Sequence, residues 1–174
     1  MKIEKYLVLN KYLLSLFGVS EFKELQDKLK DVPDTNDNEI SSYLIILLTY
    51  FVEKINDAHQ SIISVDELKH YDKNIKGYLS QINIHREPIR LKYFQYLAVL
   101  FTEILLDNIK NNQTNFIYDL NEFLERYKKE NKVEAINAFT EDDLNKIAFW
   151  MATGSGKTLI MHINYYQFLH YKLF

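Results

Sequence analysis

Apolar residues recur at helical spacing along most of the chain. Leu7, Leu9, Tyr12, Leu13, Leu16 and Phe17 predict an amphipathic helix over residues 3–17, stopped near Gly18. Ser20 is placed to cap a short second helix reaching about Asp31, with a solvated surface of Glu21, Lys23, Glu24, Asp27, Lys28 and Lys30. The run from Val32 to Asn38 is nearly all turn formers and reads as a loop. Asn36 and Glu39 have capping-box spacing, and the apolar run after them predicts a buried helix to about Asn56. Ser64 and Glu67 repeat that spacing and open a helix over roughly 65–81. His85-Arg86-Glu87-Pro88 breaks the chain, because the residue before proline is pushed out of helical geometry. An apolar helix is then expected from Ile89 to about Ile109, and another over 115–130 after the polar break Asn111 to Thr114.

The pattern changes near residue 140. Thr140 with Asp143 predicts a short helical turn, and Ile147 to Met151 (IAFWM) is a continuous apolar run. Such a run before a glycine loop suits a strand buried on both faces, as in a parallel sheet. Thr158 to about Leu173 then reads as a helix. The expected architecture is mainly α: a helical N-terminal domain over 1–140, and over 141–174 the first strand, loop and helix of an incomplete α/β unit.

Composition supports long helices. Among 174 residues there are only four glycines and two prolines, so sharp turns are few. Apolar residues make up 47% and charged residues 26%, enough for a core and unlike the signature of disorder. The net charge of −3 argues against a chain that grips nucleic acid over its whole surface. With no cysteine there is no disulfide framework, thiolate zinc site or cysteine nucleophile. The most apolar run, Tyr43 to Val52, is about half the length that spans a bilayer, and Glu53 and Lys54 end it. A soluble, cytoplasmic protein with no membrane partner is the expectation.

The chemistry concentrates in Met151-Ala-Thr-Gly-Ser-Gly-Lys-Thr158. Gly154 and Gly156 permit torsions closed to other residues and let backbone amides approach phosphate oxygens. Ser155 lies between them, Lys157 offers a mobile positive charge to β- and γ-phosphates, and the Thr158 hydroxyl suits a magnesium ion. A helix starting here adds its positive end. The core pattern G-x-G-K-[ST] arises by chance in on the order of one chain in two hundred of this size. The histidines His59, His70, His85, His162 and His170 form no H-E-x-x-H pattern, and no G-x-S-x-G elbow is present. The 13 Tyr, 11 Phe and one Trp could stack on bases but at helical spacing read as core. Asp142 and Asp143 read as helix-start chemistry, and Lys128, Lys129 and Lys132 as a solvated helix end.

The general phosphate-loop pattern would place its first glycine at Met151, where it is absent. The variant Ala152 to Thr158 instead resembles motif I of superfamily 2 (DEAD/DEAH-box) helicases. Within these it looks most like the motor subunits of type I and type III restriction enzymes, a likeness extending from Asp143-Leu144-Asn145-Lys146 to His162. Arg90-Leu91-Lys92-Tyr93-Phe94-Gln95 resembles the upstream Q motif, and by that likeness the Gln95 amide reads the adenine edge. Gln95 stands 62 residues before Lys157, farther than is usual in such motors, so an inserted helical segment must loop out between them.

The resemblance implies a RecA-like start, ATP and Mg2+ as cofactors and DNA as the partner of the intact protein. It also implies an acidic D-E-x-H motif and arginines of a second domain, and the 17 residues after Lys157 hold no Asp, Glu or Arg. The chain is therefore expected to be the N-terminal part of a larger motor, truncated, with no catalytic residue of its own and no ATPase or helicase activity alone. The alternative is a helical interaction module. In it, residues 1–140 dock a protein partner such as a methyltransferase or specificity subunit, and the loop is a non-functional remnant.

Overall fold

The computed structural model describes residues 7–33, 40–57, 63–133, 135–148 and 151–173. Helix α1 (Val8–Ser15) buries Val8, Tyr12, Leu13 and Leu14. It stops at Gly18 (φ 64°), whose left-handed backbone lets the Val19 amide donate back to the Leu14 carbonyl at 3.3 Å. Helix α2 (Phe22–Leu29) is opened by Glu24, whose carboxylate accepts from the amides of Ser20 (2.9 Å) and Glu21 (3.2 Å). Serine 20 was expected as the cap. Instead its amide and hydroxyl both donate to Glu24, and Glu21 is the cap residue.

Helix α3 (Ser42–Asp57) begins with the Leu44 amide donating to the Ser41 hydroxyl at 3.2 Å. The expected Asn36–Glu39 box lies outside the described residues. In α4 (Val65–Ile82) the Ser64–Glu67 box forms as the spacing predicts. Its bonds are Ser64 amide to Glu67 carboxylate at 2.6 Å and Glu67 amide to Ser64 hydroxyl at 3.2 Å. Helix α5 (Tyr93–Asn111) starts four residues later than the apolar pattern suggested. Ile89 to Lys92 stay irregular after Pro88, and the Ile89 amide donates to the Asn83 side chain at 2.9 Å. The helix opens only where Gln95 can accept from the Lys92 amide, at 2.8 Å.

Helix α5 is the axis of the fold. Leu97, Val99, Leu100 and Ile104 are fully buried, and its neighbours are α2, α4, α6 and α8. A helix buried on several sides carries apolar residues on more than one face, and α5 does so while also burying Gln95, Thr102, Glu103 and Asn108. Asn112 ends α5 and starts α6 (Gln113–Asn131), which turns back to bury Phe116, Leu120 and Leu124. Tyr12 of α1 meets Phe116 and Phe123 of α6 edge-on, at centroid distances of 5.7 and 5.5 Å. The loop after α6 is tied down by Asn121, which exchanges two hydrogen bonds with the backbone of Phe139 (2.7 and 3.0 Å).

Thr140 and Asp143 open the short α7 (Glu141–Leu144), the Thr140 amide donating to Asp143 at 2.9 Å. Helix α8 (Lys157–Tyr171) follows the glycine loop and packs on α5 and α4. Leu144, Ile160 and Ile163 belong to the same apolar cluster as Leu13, Leu44 and Leu100, so one core runs through residues on both sides of position 140.

The fold is mainly α. There is no strand among the described residues. Of the strand expected over 147–151, Ile147, Ala148 and Met151 are irregular, and Phe149 and Trp150 lie outside the described residues. The physical reason is pairing: a strand exists by hydrogen bonds to a neighbouring strand, and none is present among the described residues to supply them.

Candidate phosphate-binding site

The loop between Ala152 and Lys157 takes the shape its glycines allow. Gly154 has φ 76° and Gly156 φ 89°, both in the left-handed region that penalises a side chain. Between them Ser155 closes a turn onto Ala152, its hydroxyl donating to the Ala152 carbonyl at 2.6 Å and its amide at 3.3 Å. Gly156 is the residue before α8. No side chain caps this helix and no acidic residue sits in its first turn. The first amides of α8 are thus left without an intrahelical acceptor, and the positive end of the helix is not neutralised by its own turn. Lys157 and Thr158 are exposed at that end. An exposed lysine at the uncapped positive end of a helix is chemistry suited to an anion.

Gln95 lies at this loop. It is 7% exposed, its Oε1 accepts from the Lys92 amide, and its Nε2 donates to the Ser155 carbonyl at 2.8 Å, across 60 positions of sequence. One side chain therefore caps α5 and holds the glycine loop. A methyl group at Gly156 would collide with the Gln95 Nε2 atom, so the absence of a side chain is what lets the two approach. Between the two, α6 packs on α5 and α1, and α8 returns onto α5.

Behind the loop, α8 is anchored by a buried carboxylate. Glu103 of α5 is fully buried. It accepts from Asn74 (2.9 Å), Tyr78 (3.0 Å), Gln167 (2.6 Å) and Tyr171 (3.1 Å), so α4, α5 and α8 meet on one acceptor pair. Burial, then the nearby Glu103 charge, pushes the Tyr78 and Tyr171 phenols well above the usual range, which keeps both as donors. Gln167 also donates to the Val99 carbonyl at 3.0 Å. A second such centre is Asp72, which accepts from the Ser41 amide (2.9 Å) and hydroxyl and from the Tyr96 hydroxyl (2.6 Å).

Sequence reasoning missed both centres. Their only signal was a polar residue on the buried stripe of an apolar helix, as with Glu103 and Gln167. No group of three or more His, Asp or Glu side chains stands together to hold a metal ion among the described residues. None of the described helices is long and apolar enough to cross a membrane.

Comparison with known families agrees with the loop. Residues 108–172 match the family model of the type III restriction enzyme, res subunit. This supports a helicase-like restriction motor family. The match covers the last four residues of α5, all of α6, α7 and α8, and the glycine loop, and leaves Gln95 and α1 to α4 outside. No curated protein and no solved structure matches the chain.

Proposed function

We propose that the chain is the phosphate-binding section of an ATP-dependent DNA translocase or helicase of the restriction-subunit type. The observation that carries this reading is the uncapped start of α8 beneath two left-handed glycines, with Lys157 and Thr158 exposed beside it. The Gly154, Ser155 and Gly156 amides and the first turn of α8 would receive the β- and γ-phosphates, Lys157 would neutralise them, and the Thr158 hydroxyl would hold magnesium. Bound ATP-Mg2+ supplies the phosphoryl group whose transfer drives such motors. In this reading residues 141–174 begin a RecA-like domain, and the acidic and arginine groups for hydrolysis come from elsewhere in the intact protein.

Gln95 fits an adenine in number of groups. With one bond to Lys92 and one to Ser155, it keeps one acceptor lone pair and one N–H, the pair that an adenine N6/N7 edge requires. Its hold on Ser155 means that reading the base and shaping the loop would be done by the same amide.

Calorimetric titration of the chain with ATP and magnesium tests the proposal. The expected result is saturable binding that Lys157→Ala weakens by about tenfold or more, a loss of some 1.4 kcal/mol or above. Absence of binding, or binding indifferent to Lys157→Ala, would leave the helical region as a protein-docking module and sink the nucleotide role.

A further inference from the structure

A groove of about 830 Å³ opens between α1 and α6, on elements separate from the phosphate loop. Its volume is that of a small-molecule site. Tyr12 lines it. The residue is 4% exposed, and its hydroxyl has no hydrogen-bond partner among the described residues. A buried hydroxyl without a partner is costly and is rarely left so, which marks a place where a ligand or water completes the set.

Asp119 lines the same groove, and no described group donates to it. It lies near enough to the Tyr12 hydroxyl for its charge to raise that phenol, after burial, well above the usual range. Partial burial and the Glu122 charge push the Asp119 carboxyl itself up.

The remaining lining is aromatic and acidic. Phe123 and Tyr127 are stacked one turn apart on α6, with centroids 6.0 Å apart and planes 20° from parallel, and both border the groove. Glu21 and Glu130 add two carboxylates against the single charges of Lys11 and Arg126. Lys11 is turned to the Ser20 carbonyl at 3.1 Å. With Asp119 the lining carries three carboxylates to two cations, and aromatic faces beside such an excess of negative charge are the chemistry that recognises organic cations. We propose that the α1–α6 groove binds a small organic cation, its N–H groups donating to Asp119 and the Tyr12 hydroxyl and its apolar body lying on Phe123 and Tyr127.

Calorimetry on the full chain tests this with 2-phenylethylammonium as the probe and 2-phenylethanol as its neutral counterpart. The cation should bind saturably, the alcohol about tenfold more weakly, and Asp119→Asn should weaken the cation by about tenfold. Tyr12→Phe keeps the ring on Phe116 and Phe123 and should weaken the cation severalfold. Without ligand it should unfold no more easily than the parent, since only an unpartnered hydroxyl is removed. Equal affinity for both probes, indifference to Asp119→Asn, or no saturable binding at concentrations of about 10 mM would overturn the proposal. In that event the groove is a wetted surface furrow in which water satisfies Tyr12.

Discussion

Gly156→Ala probes the junction on which the site depends. Two costs add. The residue sits at φ 89°, where a Cβ costs roughly 1–2 kcal/mol. The new methyl also meets the Gln95 Nε2 atom, so the amide must leave its place between Lys92 and Ser155. Each of those hydrogen bonds contributes about 1 kcal/mol net. The total is about 3 kcal/mol, a large share of the roughly 5–15 kcal/mol that stabilises a typical domain. For a chain of this size it corresponds to a fall in Tm of about 6–12 °C.

A double-mutant cycle followed by urea or thermal unfolding separates the two costs. Gln95→Ala alone removes the two hydrogen bonds, and on that background the added methyl meets no amide. Gly156→Ala should then cost only its backbone share, leaving a coupling of about 1–2 kcal/mol between the two positions. Equal cost of Gly156→Ala on both backgrounds would refute the contact between Gln95 and the loop.

Other substitutions give distinct expectations. Gly77 is exposed within α4 with open space around it, so Gly77→Ala should stabilise by about 0.5–1 kcal/mol in the same unfolding assay. Glu103→Ala strands the four donors that meet on its carboxylate and should cost about 3 kcal/mol or more by urea unfolding. Glu103→Gln keeps one acceptor oxygen and opposes only the Gln167 amide, so about half that cost is expected. Asp119 has a carboxyl raised in the folded state by burial and by Glu122, so the folded chain holds this proton at higher pH than the unfolded chain does. Its contribution therefore rises as pH falls from the raised value toward the unfolded value of about 3.9. Asp119→Asn should make the chain at least as stable at neutral pH and lose that advantage in acid, read from unfolding midpoints across pH.

Local signals in the sequence were those that depend on neighbours three or four residues apart. Ser64 with Glu67 and Thr140 with Asp143 closed the boxes their spacing promised, because both partners lie in one turn. The glycine loop was legible for the same reason: Gly154 and Gly156 carry their conformational freedom with them. What depended on distant neighbours was not legible. The start of α5 is set by Gln95, and apolar periodicity beginning at Ile89 ran past it. A strand over Ile147 to Met151 needed a partner that periodicity cannot supply. Glu103 drew no attention because its four donors come from α4 and α8, up to 68 residues away. Gln95 lies between these cases. Its resemblance to an adenine-reading residue drew attention to it, and the packing of α5 on α8 brings it to the loop.

In the proposed function this loop receives phosphate with Gln95 as its support. Titrating the 15N-labelled chain with ATP and magnesium, and following the Gly154 to Thr158 backbone amides with the Gln95 side-chain NH2 by NMR, tests it most directly. The predicted result is a saturable shift of these signals together, moved by Lys157→Ala to ATP concentrations about tenfold higher or more, while resonances of the groove between α1 and α6 stay still. Signals at the loop and at Gln95 that do not move at saturating ATP would contradict it.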